Sequence, residues 1–352
     1  MKDNIHIVKY NLSIKDDIIE LLGYQWNNLS YIERCEKFSW RYENNPFVNS
    51  PLIYLAVYQS KIIGMKAYVV QRFKYDNSVF NVASAADAIV HPEFRGKGVL
   101  SSLNKYSIQD IEIHNNIYRI RLILNLSSNE VTTYLSLKES FLPLGVKSIL
   151  IKYSLYNLWL QNIKQSNIKN NIYKSYGKHK VVITKDIMID HIVKLSDVIN
   201  DTYKIKNEHG EDYYRWKYSY QNNKYYYGYC FDDEQIAGYL IIKKITPYKY
   251  SLEEYGYKSQ EILKIMLDAA FQNLRIPAMK IFNVSLSDDD KCCLNNIGFK
   301  EEAKIYLKLL KKKRLPALIK LLKMDDNDNK TGFDESVIYN HKNWKIYGAD
   351  IH

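Results

Sequence analysis

The chain has 352 residues, of which 46% are apolar and 25% charged, a globular composition with enough length for two domains. Its net charge of +11 suits a polyanionic partner, which could be nucleic acid, an anionic membrane or a nucleotide-like coenzyme, and charge alone does not choose among these. The lysines are spread along the chain without a zinc-finger spacing or an RNA-recognition signature, so we expect no nucleic-acid partner. No stretch approaches the roughly 18 consecutive apolar residues of a membrane helix, so we expect no integral membrane association.

Cysteine usage indicates the compartment. Cys35, Cys230, Cys292 and Cys293 match neither the number of a disulfide framework nor the two-pair spacing of a zinc site. The first ten residues also lack the basic-then-apolar order of a signal peptide. We therefore expect free thiols, no bound metal and a cytoplasmic location.

The N-terminal half alternates helical and extended patterns. Ser13 and Asp16 look like a capping box for a first helix, and a second helix is expected to follow. Next come three predicted strands of an antiparallel meander, then a strand-helix-strand crossover and a closing helix. The predicted elements are helices at about 14–24 and 31–42, strands Leu52–Tyr58, Ile62–Phe73 and Val79–Val90, helix Val99–Asn115, strand Arg119–Leu126 and helix Glu130–Ser140.

A repeat predicts the domain organisation. The segment Phe38–Tyr42, with Trp40 at its centre, is echoed by Tyr214–Tyr218 with Trp216. The spacing to a following glycine is also similar: Gly64 follows Trp40 by 24 residues, and Gly238 follows Trp216 by 22 residues. The second copy continues with predicted strands at 238–245, 250–254 and 278–284, a helix at 259–273 and a final segment at 291–299. We predict an α/β (α+β) fold of two tandem domains, 1–165 and 166–310, each a mixed, mostly antiparallel central sheet flanked by helices.

The tail, 311–352, begins with the basic run Lys311–Arg314. Pro316 then opens a predicted short basic helix, which is followed by an Asp/Asn-rich loop at Asp325–Lys330. Such a helix either docks on the second domain or lies on an anionic membrane surface.

The segment Asp87–Leu100 carries the chemistry. A strand runs into Pro92, a turn contains Gly96 and Gly98, and a helix begins at once. Glycines let backbone amides point inward, and a helix N-terminus adds partial positive charge, so the pattern suits a pyrophosphate. A Rossmann fingerprint would need a third glycine, and a P-loop would need Gly-Lys-Ser/Thr; both are missing. From local sequence alone, a tight turn that merely needs two glycines stays open.

This segment resembles the acetyl-CoA motif of the GNAT superfamily of N-acetyltransferases, with Arg95 at the motif's arginine and Gly98 at its central glycine. Leu100 replaces the last small residue, a departure that resembles tandem-domain members of the enhanced-intracellular-survival type. The resemblance implies acetyl-CoA as co-substrate. It implies that the backbone of Ala88, Ile89 and Val90 holds the pantetheine arm, and that Asn129 either contacts pantetheine or caps the helix that follows. The implied pyrophosphate site is the backbone of Arg95, Gly96, Lys97, Gly98, Val99, Leu100 and Ser101.

Thioester aminolysis needs a base near the amine and an acid near the sulfur. Asp87, inside an apolar strand, is a candidate base or half of a buried salt bridge. His91 is a less favoured base, and the C-terminal carboxylate of His352 is a further one. The family often uses a tyrosine as the acid, but its position holds Ser136, and Ser140 replaces the family's helix-ending glycine. Tyr134, about 200° round the helix from Ser136, is the candidate acid.

The second copy has two carboxylates, Glu253 and Glu254, where the first copy has its glycine loop, and these would repel a pyrophosphate. We therefore expect only the first domain to bind coenzyme, while the second shapes the acceptor cleft, where acidic residues could hold a cationic amine, or forms a homo-oligomer. The predicted function is transfer of an acyl group, most simply acetyl, from coenzyme A to a primary amine of a small molecule or amino sugar. A coenzyme A-binding regulatory protein and an aminoacyl transferase of the cell-wall peptide-bridge type remain as alternatives.

Overall fold

The computed structural model describes residues 5–76, 78–127, 129–163, 171–199, 203–284, 286–302, 314–322 and 334–350. It contains a nine-stranded and an eight-stranded sheet, both mixed and mostly antiparallel, with helices packed against them. This architecture confirms the predicted fold class.

The first sheet runs in the order β1-β2-β3-β4-β5-β16-β6, and β10 pairs with both β3 and β17. Its strands are β1 Ile5–Lys9, β2 Leu52–Tyr58, β3 Lys61–Tyr75, β4 Ser78–Val90, β5 Ile120–Asn125, β6 Leu142–Val146, β10 Ile205–Asn207, β16 Pro316–Leu321 and β17 Trp344–Lys345. The second sheet runs in the order β15-β7-β14-β13-β12-β11-β9-β8. Its strands are β7 Ser148–Tyr153, β8 Ile172–Tyr176, β9 His179–Thr184, β11 Tyr225–Asp232, β12 Gln235–Thr246, β13 Lys249–Tyr257, β14 Ala278–Asn283 and β15 Lys300–Glu301.

The helices cover both faces of the sheets. They are α1 Lys15–Leu22, α2 Tyr31–Phe38, α3 Val99–Ile113, α4 Asn115–Tyr118, α5 Glu130–Lys138, α6 Leu155–Ile163, α7 Ile189–Val198, α8 Glu211–Lys217, α9 Gln260–Asn273, α10 Asp288–Asn296 and α11 Glu335–Ile338. The capping box predicted at Ser13 is wrong: Ser13 lies in a short 3-10 turn, and the box belongs to Ser30 and Glu33 at the start of α2. Helix α2 is shorter than predicted because its last turn widens into a π-helical turn, Ser39–Glu43.

The two sheets exchange strands. Strand β7 follows β6 directly in the chain, yet it pairs between β14 and β15 of the second sheet. In return, β16 from the C-terminal segment pairs between β5 and β6 of the first sheet. Each sheet therefore contains a strand from the chain segment that mainly builds the other sheet.

The basic helix predicted from Pro316 is wrong, because this segment is β16. Ala317, Leu318 and Ile319 are all fully buried, since both faces of the strand are covered. A short continuous apolar run has no period that separates a buried strand from a helix. The predicted Lys311–Lys313 run and the Asp325–Lys330 loop lie outside the described residues.

The two repeated segments contact each other. The indole Nε1 of Trp40 donates to the carbonyl oxygen of Trp216 at 2.8 Å, and Nε1 of Trp216 donates to the carbonyl oxygen of Trp40 at 2.6 Å. The two rings stack with centroids 6.0 Å apart. Reciprocal bonds of this kind are what a two-fold relation between similar units produces. The sequence repeat therefore marks an approximate two-fold axis between the domains.

Candidate functional site

Strand β4 separates from β5 halfway along its length. The two pair in parallel from Asn81 to Ser84, where Ser84 lies opposite Leu124. Beyond Ser84, β4 continues to Val90 with pairing recorded only to β3 in the part of the chain that the structure describes. One edge of Ala88, Ile89 and Val90 therefore faces a groove and has no strand partner among the described residues, as the pantetheine assignment requires, although the Val90 carbonyl oxygen accepts from Arg95 Nε at 3.2 Å.

The loop after β4 has the geometry of an anion site. Gly96 and Gly98 adopt φ values of 76° and 83°, a region that side-chain-bearing residues avoid. Gly98 is the N-cap of the 15-residue helix α3, and no described side chain caps it. The first amides of α3, at Val99, Leu100 and Ser101, therefore have no partner within the helix and point toward its N-terminal end.

Cationic side chains flank this loop. Arg95, Gly96, Lys97 and Gly98 are all exposed to solvent. Arg95 donates from Nε to the carbonyl oxygen of Val90 at 3.2 Å, and the Lys97 ammonium lies 5.0 Å from the Phe94 ring centroid. Their charges add to that of the helix terminus.

Helix α3 approaches β3 closely at Gly64. A Cβ atom on Gly64 would lie 2.9 Å from Cγ1 of the buried Val99 and 3.1 Å from Cδ1 of Leu103. The glycine that follows each repeated tryptophan segment thus lets a helix pack on the sheet, since a Cβ on Gly238 would likewise meet Ile262 of α9 at 2.7 Å.

Asn129 caps α5. Its Oδ1 accepts from the backbone N–H of Thr132 at 2.9 Å, and the hydroxyl of Thr132 accepts from the N–H of Asn129 at 3.0 Å. The capping alternative is the one that the contacts show, while its contact with pantetheine stays a prediction.

Asp87 lies beside the groove, where it forms an ion pair with Arg41 and accepts two further hydrogen bonds. It is buried and accepts from Arg41 Nη1 at 2.6 Å, the Tyr42 hydroxyl at 2.6 Å and Gln25 Nε2 at 2.8 Å. The salt-bridge alternative is therefore present, and a base role, which stays a prediction, would compete with these donors. His91 Nε2 lies 3.1 Å from the Tyr24 hydroxyl.

Ser136 and Tyr134 lie on opposite sides of α5. Ser136 is buried and accepts from Asn125 Nδ2 at 3.0 Å, whereas Tyr134 is 66% exposed. Ser140 has φ of 62°, so the chain keeps the left-handed helix end of the family's glycine without the glycine. The acid role of Tyr134 stays a prediction.

The second domain has an equivalent groove beside β13, and the C-terminal segment of the chain occupies it. Strand β13 pairs with β14 only from Tyr250 to Leu252 and then continues to Tyr257. The Tyr347 hydroxyl donates to the carbonyl oxygen of Tyr255 at 2.7 Å, and the next residue, Gly348, lies against Glu253. The C-terminal segment thus takes backbone groups that a pantetheine arm would need there.

The prediction that Glu253 and Glu254 stand at the position of the glycine loop is wrong, because both lie inside β13. Glu254 instead occupies the position that Asp87 has in β4. Asp87 lies three residues before Val90, the partner of Gly64, and Glu254 lies three residues before Tyr257, the partner of Gly238. Tyr218, equivalent to Tyr42, donates to Glu254 at 3.2 Å, and Tyr239 donates at 2.8 Å. Glu254 is fully buried, so it does not present a free carboxylate to an amine.

His209 links Glu254 to the C-terminal segment. Its Nδ1 lies 3.0 Å from Glu254 Oε1, and its Nε2 lies 3.3 Å from Oδ1 of the buried Asp350. Burial alone would lower the pKa of His209, but the charges and hydrogen bonds of the two carboxylates outweigh it and raise the pKa to about 9. Asp350 also accepts from Asn207 at 2.7 Å and from Gln71 on β3. This network therefore couples both sheets to the tail.

The raised pKa of His209 should make the free energy of unfolding decrease as pH rises. Because the folded-state pKa is raised above the ordinary 6.5, its contribution is complete below pH 6.5 and lost as pH rises through about 9. The shift corresponds to roughly 3 kcal/mol. We expect the free energy of unfolding, from urea titrations at pH 6 and 9.5, to change much less with pH in His209→Gln than in the unchanged protein. His191→Gln, at a ring packed edge-on against Phe231, is the control and should keep the full pH dependence.

The sequence interpretation missed His209, Asp350 and the Arg41 ion pair. The position of Arg41 inside the repeated aromatic segment could have indicated its importance. Nothing in the sequence connects His209 with Asp350, since 141 residues separate them. The carboxylate of His352 lies outside the described residues.

Among the described residues, no group of three histidine, cysteine or acidic side chains is arranged to hold a metal ion. None of the described helices is long and apolar enough to span a membrane.

No family model matches the sequence, and no curated protein matches it. Solved structures do. A conserved Enterococcus faecalis V583 protein described as a probable N-acyltransferase matches with a TM-score of 0.65 at 11% identity, covering 90% of this chain and 73% of that one. A tandem GNAT protein from the clavulanic acid biosynthesis pathway matches with a TM-score of 0.53 at 9% identity, covering 92% and 100%. Eis1 from Mycobacterium abscessus matches with a TM-score of 0.55 at 11% identity, covering 90% and 73%. The resemblance found in the sequence is confirmed at the level of fold: the chain has the fold of tandem GNAT proteins.

Proposed function

We propose that this protein is an N-acyltransferase that uses an acyl-coenzyme A, in the simplest case acetyl-CoA, to acylate a primary amine of a small molecule or amino sugar. The observation that carries the proposal is the continuous path from the open edge of β4 to the Gly96–Gly98 loop and the uncapped start of α3. The open edge suits the amides of pantetheine, and the loop with its helix terminus suits a pyrophosphate.

Direct transfer fits this arrangement. The thioester would lie near Ala88, where β4 has left β5, and the amine would approach from the side of the second domain. The roles of Asp87 as base and Tyr134 as acid remain part of the proposal, as does a cytoplasmic setting.

A regulatory protein that binds coenzyme A without turnover is the second candidate. It is favoured by one observation, the burial of Ser136 in a hydrogen bond with Asn125 at the place where the family often has its acid. An aminoacyl transferase is less favoured, because an aminoacyl-tRNA donor does not require the glycine loop.

The two candidates differ in turnover. We expect calorimetry to detect coenzyme A binding, and thiol release from acetyl-CoA to rise when a matching amine from a panel of amino sugars and polyamines is added. Binding with no thiol release on any amine would favour the regulatory protein. Absence of binding would contradict both.

A further inference from the structure

Lys66 is a buried cation beside the proposed thioester position. It lies on β3 directly opposite Ala88, and it is only 4% exposed. No hydrogen bond or ion pair joins its ammonium to any residue that the structure describes, and its nearest recorded contact is the Tyr68 ring, 5.0 Å from the ring centroid. A buried charge without a partner costs free energy, so it calls for a functional reason.

The neighbouring polar groups are already engaged. Tyr54, on the adjacent strand β2, donates to Asp110 at 2.9 Å, and Tyr68 shares a 2.8 Å hydrogen bond with Ser107. In addition to its bond with Tyr54, Asp110 forms an ion pair with Lys9 at 2.7 Å. From β4, Asp87 is held by Arg41 at 2.6 Å. Asp110 and Asp87 therefore have other partners than Lys66.

The Lys66 side chain is long enough to extend across β4 towards its open edge. Directly paired residues project to the same face of a sheet, so Lys66 and Ala88 share the face that α3 covers. Adjacent strands are about 4.8 Å apart, and a lysine side chain spans at least that distance. Ala88 and Ala85 carry only methyl groups, which leaves room over β4 for the lysine chain.

We propose that Lys66, in place of the exposed Tyr134, is the catalytic residue that donates a proton to the sulfur of coenzyme A as the thioester breaks. The acceptor nitrogen attacks the thioester carbonyl carbon and forms the C–N bond. The C–S bond then breaks, its electron pair goes to sulfur, and sulfur takes a proton from Lys66 Nζ. The proton of the amine leaves to a base or to water, and water reprotonates Lys66.

Burial suits Lys66 to this task. It lowers the pKa of Lys66 to about 8, against the opposing charge of Asp87. An acid with a pKa near the working pH is protonated and still gives up its proton readily. Burial raises the pKa of both Tyr54 and Tyr68, so these phenols stay neutral and do not compete.

The test rests on the proposed function and begins with the unchanged protein and an amine that it acetylates. We expect Lys66→Met to lower kcat by about 100-fold or more, in the range of general acid catalysis, with little change in KM for acetyl-CoA or in coenzyme A binding. Lys105→Met, at an exposed lysine of α3, is the control and should keep the full kcat.

The pH profile separates a proton donor from a structural lysine. The ammonium is the active form, so kcat of the unchanged protein should fall as pH rises through about 8. This fall should vanish in Lys66→Met and move to higher pH in Lys66→Arg, since arginine keeps its proton. A Lys66→Met protein with full kcat, or with lost coenzyme A binding, overturns the role of Lys66 alone. Absence of thiol release from the unchanged protein overturns the proposed function as well.

Discussion

Gly98→Val is expected to raise the dissociation constant for coenzyme A at least about tenfold. Gly98 has φ of 83° at the N-terminus of α3, and a β-branched residue is strongly disfavoured there. The left-handed conformation costs about 1–2 kcal/mol for a residue with a Cβ, and each 1.4 kcal/mol is a factor of about ten in affinity. Relief of the strain would also turn the first amides of α3 away from the pyrophosphate, which adds to the loss.

A matched control comes from Gly177 in the β8–β9 turn. Its φ is 58°, and a Cβ there would meet no atom within 4 Å, so Gly177→Val introduces similar strain far from the groove. Calorimetric titration with coenzyme A should show weakened binding in Gly98→Val and ordinary binding in Gly177→Val. Equal binding by both variants would remove the loop from the coenzyme site.

Local pattern predicted the elements that position the site. Strands β2, β3 and β4 and helix α3 are found where alternation, periodicity and turn residues place them, because each is specified by neighbours within a few residues. The loop was predictable for the same reason, since positive φ at Gly96 and Gly98 is a local requirement. The repeated tryptophan segment also predicted two similar units.

Pairings between distant segments were not predictable. Strand β16 enters the first sheet about 190 residues after β5, its partner, and nothing in its apolar run selects strand over helix. The partners of Glu254 likewise come from three separate parts of the chain: His209 before α8, Tyr214 in α8 and Tyr239 in β12. The burial of Lys66 was not predictable either, because a lysine in a strand gives no local sign that it is only 4% exposed in the folded protein.

The ion pair between Arg41 and Asp87 should be the most sensitive point of the fold near the groove. Arg41→Met is expected to lower the free energy of unfolding by about 3–5 kcal/mol, the usual cost of leaving one charge of a buried pair without its partner. Both side chains are less than 10% exposed, and the Arg41 Nη1 to Asp87 Oδ2 distance is 2.6 Å. Tyr42 and Gln25 would still bond to Asp87, but they supply no compensating charge.

The exposed pair between Arg215 and Glu211 on α8 is the matched control. Arg215→Met should change stability little, since solvent screens both charges. The double variant Arg41→Met/Asp87→Leu should recover most of the stability that Arg41→Met loses, because it leaves no unpaired charge in the interior. Urea unfolding of the unchanged protein, Arg41→Met, Asp87→Leu and the double variant measures this coupling. If the losses from Arg41→Met and Asp87→Leu simply add in the double variant, the two charges do not stabilise each other, and the buried ion pair is not the source of the loss in Arg41→Met.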